Sequence, residues 1–325
     1  MNIYVTREIP EGGLKMLREK FGNFEMNNEN RVLTKQELIE KVRGRDAVLC
    51  LLTDPIDEEV LEAAGPQCKI FSNYAVGYNN VNVDAASARN IMITNTPGVL
   101  TDATADMAVA LLFATARRIV ESDRFTREGK FHGWGPMLFL GQDITNRTLG
   151  IIGAGRIGSA VAERMHNGFG MKILYTDLGG NSDLEQKTGA RKVSMEELLR
   201  ESDFVSIHCN LTPETTHIIS EKEFAMMKTS AILINTSRGP VVDEAALVQA
   251  LKENKIFAAG LDVYEREPEL APGLKDLPNV VIPPHIASAT FATRTKMAEI
   301  AAQNLIDALE GKMPQYCVNK DRIAL

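Results

Sequence analysis

Short apolar runs alternate with amphipathic stretches along nearly the whole chain. In the first hundred residues, runs typical of β-strands lie at 3–5, 47–52, 69–72 and 91–93. From residue 149 a second alternation begins, with proposed strands at 149–152, 172–175, 204–208, 231–235, 258–263 and 280–282. Strands that alternate with helices predict the α/β class, and six strands with helical crossovers fit a doubly wound parallel sheet.

Several predicted helices begin at a side chain that can cap their first turn. These candidates are Thr34 with Glu37, Ser220 with Glu223, Asp57 and Asp243. A long helical pattern runs from about residue 101 to about residue 129, and a last one covers about 290–309. The last helix is not needed by the second sheet, so we expect it to return to the first domain. The predicted domains are 1–100 with 287–325, and 101–286.

Composition narrows the class of protein. The net charge of -7 and the pI of about 5.4 argue against a basic nucleic-acid-binding face. The four cysteines are far apart without C-x-x-C spacing, which indicates reduced thiols of a cytoplasmic protein, and no metal site is predicted. We find no signal-peptide pattern at the N-terminus, and the most apolar helix, about 105–116, is too short to span a bilayer. We therefore expect a soluble protein without membrane or nucleic-acid partners.

The segment GAGRIG, residues 153–158, lies between an apolar strand pattern and a helical pattern. Gly153 permits a tight turn, Gly155 leaves room for a pyrophosphate, and Gly158 lets the helix pack close to the sheet. The helix N-terminus offers unpaired N–H groups and a positive dipole end to phosphates. This setting predicts a dinucleotide site; the alternative is a glycine-rich turn without a ligand.

Asp177 closes the next apolar run, where an acid that binds the ribose hydroxyls is expected. Its charge would repel a 2′-phosphate, and the following Leu178-Gly179-Gly180 supplies no arginine to neutralise one. The sequence therefore predicts NAD(H) in preference to NADP(H).

A nicotinamide enzyme that acts on a carbonyl needs a proton donor and a fixed cation. Of five histidines, only His285 lies just past the carboxyl end of a predicted strand, where ligands of open sheets bind. Arg238 follows another strand and could hold a carboxylate or ketone oxygen. Glu267 follows a third, and its carboxylate could fix the tautomer of His285. The alternatives are a structural histidine, a surface arginine and a solvated charged loop.

Five segments together carry a specific resemblance. They are GAGRIG, then HCNLTPET from His208, INTSRGPVVDEAAL from Ile234, GLDVYEREP from Gly260 and PHIASAT from Pro284. In order and spacing the chain resembles the D-isomer-specific 2-hydroxyacid dehydrogenases over nearly its whole length. The resemblance implies two Rossmann-like lobes with a cleft between them, hinges near 98–102 and 285–289, and a homodimer formed through the helix-bearing segment of the cofactor lobe.

Residue roles follow from the same resemblance. The family's catalytic arginine, glutamate and histidine fall on Arg238, Glu267 and His285. Its substrate-binding positions fall on Ala75, Val76, Gly77, Arg238 and Ser288, where the Val76 and Gly77 N–H groups would hold a carboxylate. Its cofactor-binding positions fall on Thr104, Gly153, Gly155, Arg156, Ile157, Gly158, Asp177, His208, Cys209, Asn210, Thr215, Thr236, Ser237, Arg238, Asp262 and His285.

Within the family the chain is most similar to glyoxylate and hydroxypyruvate reductases. The resemblance rests on Trp134-Gly135-Pro136 and the segment that follows, and it implies that Leu52 and Trp134 line a small pocket. A loop tryptophan can equally be a packing or interface anchor. Asn79 and Asn82 replace aspartates that are common in the family, and Asn146 replaces a common glycine, which is tolerable because asparagine accepts left-handed geometry.

The sequence thus predicts NADH-dependent reduction of a small 2-keto acid, glyoxylate or hydroxypyruvate, to the D-2-hydroxy acid, glycolate or D-glycerate. Two alternatives stay open. One is another dehydrogenase of this fold, of the phosphoglycerate or D-lactate type. The other, from a different class, is an NAD-sensing corepressor-like binding protein.

Overall fold

The computed structural model describes residues 1–324 and divides the chain into two compact units. One unit holds Met1–Leu100 and the chain from Ala289 onward, and the other holds Thr101–Ser288. Each unit contains a parallel β-sheet flanked by helices, which confirms the predicted α/β class. The chain therefore leaves the first unit and returns to it for its last helix.

Five parallel strands form the sheet of the first unit: β1 (Ile3–Val5), β2 (Glu25–Met26), β3 (Ala47–Leu51), β4 (Ile70–Tyr74) and β5 (Met92–Thr94). Their spatial order is β2-β1-β3-β4-β5. The helices of this unit are α1 (Glu11–Phe21), α2 (Lys35–Val42), α3 (Glu58–Ala64), α4 (Val83–Ala88) and α12 (Phe291–Leu309). Their buried apolar residues cover both faces of the sheet.

Helix α12 packs closely against α1 on one face of this sheet. A Cβ atom on Gly13 of α1 would lie 2.5 Å from the carbonyl oxygen of Ala298 in α12, so only glycine allows this approach. Leu14, Leu17 and Leu305 are buried in the same apolar cluster. The C-terminal helix thus completes the core of the first unit.

Seven parallel strands form the sheet of the second unit: β6 (Thr148–Ile152), β7 (Lys172–Thr176), β8 (Arg191–Lys192), β9 (Phe204–Ile207), β10 (Ile232–Asn235), β11 (Ala258–Leu261) and β12 (Val280–Val281). Their order is β12-β11-β10-β9-β6-β7-β8. The helices are α5 (Thr101–Ala116), α6 (Ile119–Arg127), α7 (Arg156–Phe169), α8 (Ser182–Thr188), α9 (Met195–Glu201), α10 (Glu221–Phe224) and α11 (Glu244–Lys252).

The strand order of the second unit reverses between β6 and β9. The chain runs outward from β6 to β8, then starts again at β9 and runs outward to β12 on the other side. Ligands of open parallel sheets bind at such a reversal, outside the carboxyl ends of the strands. GAGRIG follows β6 and His208 follows β9, so both lie at this point.

The single long helix predicted from about residue 101 to about residue 129 is wrong, because the structure has two helices there. Helix α5 ends at Ala116, and Arg118 adopts a left-handed backbone with φ of 52° before α6. The Arg118 guanidinium pairs with Glu121 and lies 5.0 Å from the centre of the Phe139 ring. The local ion pair and the long-range ring contact hold a break that neither proline nor glycine marks in the sequence.

Two edge strands, β2 and β8, escaped the sequence prediction because each has two residues and little apolar character. The predicted helix caps are confirmed: Thr34 and Ser220 form capping boxes, and Asp57 and Asp243 accept N–H groups of the first turn. Asn146 has the expected left-handed backbone, with φ of 61°. Among the described residues, no helix combines the length and the apolar character that crossing a bilayer requires.

Candidate active site

The glycine loop has the geometry that its sequence predicts. Gly153 has φ of 92°, and a Cβ atom there would lie 2.5 Å from the Cys209 amide nitrogen. A Cβ atom on Gly158 would lie 2.2 Å from the Gly153 carbonyl oxygen, whereas a Cβ atom on Gly155 would meet open space. The first and third glycines therefore allow tight packing, and Gly155 leaves room at the N-terminus of α7 beside Arg156 and Ile157.

Asp177, just after β7, is joined to the glycine loop. Its Oδ2 atom accepts the Ala154 N–H at 2.8 Å. Asn181 donates from Nδ2 to the Ala154 carbonyl oxygen, also at 2.8 Å, so both polar groups of that peptide segment are held. The side chain of Asp177 is exposed beside the loop, where the sequence predicts a ribose contact.

Two polar atoms after the carboxyl ends of β9 and β10 are buried without a hydrogen-bond partner among the described residues: His208 Nδ1 and Thr236 Oγ1. His208 follows β9, and its Nε2 atom is 2.8 Å from Ser206 Oγ. Burial lowers the pKa of His208 to about 3, so the ring is neutral. Buried polar atoms are normally hydrogen-bonded. The unpartnered atoms of His208 and Thr236 and the open space at Gly155 fit a nicotinamide dinucleotide bound at this edge of the sheet.

The other predicted cofactor positions lie in α5 and in the loops after β9 and β10. Thr104 is buried in α5, and Cys209 is half-buried next to Gly153. Thr215 uses its hydroxyl locally, donating to the carbonyl oxygen of Asn210 at 2.7 Å. Ser237 donates from Oγ to Asn235 Oδ1 at 2.9 Å. Their contact with a cofactor stays a prediction.

Asp262, at the end of β11, holds the segment that follows His285. Its Oδ1 atom accepts the Ile286 N–H at 2.8 Å, and Oδ2 accepts the Ala287 N–H at 2.7 Å. The side chain is fully buried. The sequence assigned Asp262 to the cofactor, and that contact remains a prediction beside this observed role.

Glu267 and His285 form a hydrogen-bonded pair. His285 Nδ1 lies 2.8 Å from Glu267 Oε2, and Glu267 Oε1 accepts the Tyr264 N–H at 3.0 Å. Burial raises the pKa of Glu267, but the hydrogen bond and charge of His285 outweigh it, with help from Arg238, so the net pKa lies below the ordinary value. Because Nδ1 is engaged, Nε2 is the nitrogen that can exchange a proton with a ligand.

Arg238 lies in the loop after β10, next to the loop that carries Glu267. A Cβ atom on the neighbouring Gly239 would lie 1.9 Å from the Tyr264 carbonyl oxygen, so the two loops pack backbone to backbone. Arg238 donates from Nη1 to the Ser237 carbonyl oxygen at 2.7 Å. Burial lowers the pKa of Arg238, and Glu267 opposes the shift. The structure thus brings together the arginine, glutamate and histidine predicted from three separate segments.

The predicted carboxylate loop lies in the first unit, after β4. Asn73 donates from Nδ2 to the Gly77 carbonyl oxygen at 3.1 Å, and Asn95 donates from Nδ2 to the Val76 carbonyl oxygen at 2.7 Å. Asn80 accepts from Asn73 at 3.2 Å, which extends the network. Both carbonyls of the loop are therefore held by side-chain amides that the sequence analysis missed.

The remaining predicted substrate positions differ in exposure. Ala75 is buried and Ser288 is half-buried, while Leu52 is exposed after β3. Trp134 lies in the loop between α6 and β6 and is 86% exposed. Contact of these side chains with a substrate stays a prediction.

Comparison with known proteins defines the class. The family model of the D-isomer specific 2-hydroxyacid dehydrogenase NAD binding domain matches residues 109–287. The chain belongs to the D-isomer-specific 2-hydroxyacid dehydrogenases, which are oxidoreductases that use a nicotinamide cofactor and act on small keto or hydroxy acids. It is 52% identical over 323 residues to a glyoxylate reductase of Thermococcus litoralis. The alignment covers 98% of this chain and 97% of the relative.

Two solved structures show the same architecture. A crystal structure of a protein from Thermus thermophilus has a TM-score of 0.90 and 44% identity, and covers 98% of this chain and 100% of the other. The second is an NADPH-dependent glyoxylate/hydroxypyruvate reductase from Sinorhizobium meliloti in complex with NADP and malonate. It has a TM-score of 0.87 and 30% identity, and the match covers 100% of this chain and 98% of the other. These similarities confirm the family resemblance and the two Rossmann-like units predicted from the sequence.

Proposed function

We propose that this protein reduces glyoxylate or hydroxypyruvate to the D-2-hydroxy acid with NADH. The observation that carries the proposal is the 2.8 Å hydrogen bond between His285 and Glu267 at the carboxyl edge of the second unit's sheet, beside Arg238. Its relatives of nearly the same length include glyoxylate reductases. A proton donor, a carboxylate that orients it and a cation are the groups that reduction of a keto acid requires.

The bound nicotinamide supplies the hydride in this reaction. His285 donates a proton from Nε2 to the ketone oxygen as that oxygen gains charge. Glu267 keeps the ring in the correct tautomer and stabilises its protonated form. Since the pKa of Glu267 is lowered, its carboxylate is ionised at neutral pH and can stabilise the protonated ring of His285.

Two groups hold the substrate in our proposal. Arg238 contacts the carboxylate and polarises the ketone through its planar guanidinium. The N–H groups of Val76 and Gly77 bind the carboxylate, and the Asn95 amide on the Val76 carbonyl oxygen orients the peptide that carries the Gly77 N–H. Leu52 and Trp134 are the side chains that we propose for contact with the small remainder of the substrate. Ala75 and Ser288 complete the set of proposed substrate contacts.

The cofactor assignment rests on the loop edge of the second unit. The amides at the N-terminus of α7 would bind the pyrophosphate, and His208 and Thr236 would offer their unpartnered polar atoms to the cofactor. Asp177 accepts the ribose hydroxyls and disfavours NADPH. One feature opposes that preference: Lys192 donates from Nζ to the Leu178 carbonyl oxygen at 3.2 Å, which places a cation beside the same loop.

A homodimer is also part of the proposal. Large apolar side chains are exposed in the segment of α6 and the loop after it, namely Ile119, Val120, Phe131, Trp134, Met137, Leu138 and Leu140. Exposed apolar patches of this kind mark interaction sites. A second copy that covers this segment would remove it from water, as a self-complementary interface does.

A substrate panel tests the function directly. Glyoxylate, hydroxypyruvate, pyruvate and phosphohydroxypyruvate are each assayed with NADH and with NADPH. We expect the highest kcat/KM with glyoxylate or hydroxypyruvate and NADH. A higher value with pyruvate or the phosphorylated acid would favour a dehydrogenase of the D-lactate or phosphoglycerate type. Absence of turnover despite NADH binding would favour a sensor.

A further inference from the structure

Tyr264 lies where the loop that carries Glu267 meets the segment that carries His285. It is buried, and its hydroxyl oxygen is 2.6 Å from the Pro283 carbonyl oxygen and 3.2 Å from the Leu261 carbonyl oxygen. A phenol has one hydrogen to donate. The shorter contact identifies Pro283 as its main acceptor.

The Pro283 carbonyl oxygen is part of the turn that presents His285. It also accepts the His285 N–H at 3.1 Å, across a single residue. His285 has φ of 53°, a left-handed backbone that is uncommon outside glycine and persists only when surrounding contacts hold it. The Tyr264 hydroxyl therefore binds the same oxygen that closes this strained turn.

The main chain of Tyr264 contacts the other member of the pair. Its N–H donates to Glu267 Oε1 at 3.0 Å, while Glu267 Oε2 binds His285 Nδ1 at 2.8 Å. One residue thus holds the carboxylate with its amide and the histidine turn with its hydroxyl. Burial raises the pKa of the Tyr264 hydroxyl far above its ordinary value, so the group remains a donor at every working pH.

We propose that Tyr264 is a positioning residue for the reaction: its hydroxyl holds the Pro283–His285 turn at the separation from Glu267 that their hydrogen bond requires. The proposal rests on the proposed role of His285 as proton donor. The proposal assigns Tyr264 no contact with substrate or cofactor. It acts through the orientation of the histidine ring.

The test compares Tyr264→Phe with Thr188→Val. The first change removes only the hydroxyl and keeps the ring and the amide. Thr188 is a buried residue of α8 in the same unit, and its hydroxyl donates to the Leu184 carbonyl oxygen at 2.7 Å. Thr188→Val therefore removes one buried hydrogen bond at a site distant from Tyr264 in the sequence. We expect both variants to lose some thermal stability. Only Tyr264→Phe should lower kcat, by about 10- to 100-fold, because small displacements of a catalytic group cost that much.

Further readouts separate positioning from a general structural role. In Tyr264→Phe, KM for NADH should be unchanged and the pH profile of kcat should shift in the same sense as in Glu267→Gln. In the double variant Tyr264→Phe/Glu267→Gln, the second change should add little to the first, because both act through one pair. A kcat and pH profile like those of Thr188→Val, or fully multiplicative losses in the double variant, would overturn the proposal.

His285→Asn separates the proposed acid role of His285 from the proposed positioning role of Tyr264. If this variant turns over like the wild type, the proposed acid role fails and the positioning role fails with it. If His285→Asn is inactive while Tyr264→Phe is fully active, only the positioning role is wrong. A crystal structure of Tyr264→Phe in which the Nδ1 to Oε2 hydrogen bond is lost would support it, and an unchanged pair would contradict it.

Discussion

Glu244 and Glu265 bind each other's backbone. The Glu265 N–H donates to Glu244 Oε1 at 2.6 Å, and the Glu244 N–H donates to Glu265 Oε2 at 3.2 Å. The second oxygen of Glu244 accepts the Ala271 N–H at 3.1 Å, so this buried carboxylate spans the loop that contains Glu267. The start of α11 and the loop that carries Glu267 are therefore held together.

Glu244→Gln should destabilise the protein by about 1–3 kcal/mol, because the amide can accept only one of the two N–H groups that the carboxylate holds. The free energy of unfolding, measured with urea, checks this. Glu196→Gln is the control, since Glu196 is an exposed residue of α9 that pairs with Arg200. Its change should stay within about 0.5 kcal/mol. Equal losses in the two variants would contradict the argument.

His285→Asn should lower kcat by about 10²- to 10⁴-fold through loss of general acid catalysis. Asparagine tolerates the left-handed backbone at this position. The matched control is His217→Asn, because His217 also has a left-handed backbone and pairs with a glutamate, Glu265, at 3.1 Å. That variant should keep nearly full turnover. NADH binding, followed by fluorescence titration, should be intact in both.

Glu267→Gln should lower kcat for reduction and change its pH profile. In the wild type the pKa of Glu267 is lowered by His285 despite the opposing effect of burial, so the carboxylate supports His285 at neutral pH and the support is lost only as the pH falls through that lowered value. A neutral amide cannot stabilise the imidazolium, so the decline of activity toward high pH should begin at a lower pH. A kcat profile from about pH 4 to about pH 9 measures this; an unchanged high-pH limb would exclude the role.

Asp177→Ser should reduce the preference for NADH over NADPH by about tenfold or more, equivalent to about 1.4 kcal/mol, because the charge that repels a 2′-phosphate is removed. Asp183→Asn, an exposed acid in α8 that pairs with Lys187, controls for the general loss of negative charge. Lys192→Gln should have the opposite effect: it removes the cation beside the same loop and should weaken NADPH use without changing NADH use. The ratio of kcat/KM values for the two cofactors is the measurement.

Asn95→Ala should raise KM for the keto acid about tenfold, because Asn95 orients the Val76–Gly77 peptide, whose N–H binds the substrate carboxylate in our proposal, and a hydrogen bond to a charged group is worth that much. KM for NADH should not change. Asn82→Ala is the control: Asn82 caps α4 by accepting the Ala85 N–H at 3.0 Å, so its loss should cost about 1 kcal/mol of stability without affecting KM. An equal rise of KM in both variants would point to a general loosening of the unit.

The proximity of Arg238, Glu267 and His285 is predictable from the sequence because of one property of parallel sheets. Arg238, Glu267 and His285 each follow a different strand, and the carboxyl ends of parallel strands meet at one edge. The glycine loop is equally predictable, because Gly153 and Gly158 occupy places where a Cβ atom would collide with backbone. In both cases a local signal is tied to a regular geometry.

Other features depend on contacts that no local pattern reveals. The guanidinium of Arg118, at the break between two helices, contacts the distant ring of Phe139, and the proposed role of Tyr264 depends on a carbonyl nineteen residues away in the sequence. Asp262 lies at a position that suggests a ligand contact, yet its oxygens bind the amides of Ile286 and Ala287. Side chains that hold a loop and side chains that hold a ligand have the same polar chemistry, so the sequence alone does not separate them.

The return of α12 to the first unit has a consequence for biosynthesis. A ribosome delivers every strand of the five-stranded sheet, and then the whole of the other unit, before it delivers the helix that packs against Gly13 and the leucines beside it. Until α12 has been synthesised, the apolar residues on the face of the sheet that α12 covers are exposed to solvent. The N-terminal part of the polypeptide, although made first, can therefore mature only last, and the growing chain needs protection from aggregation during that interval.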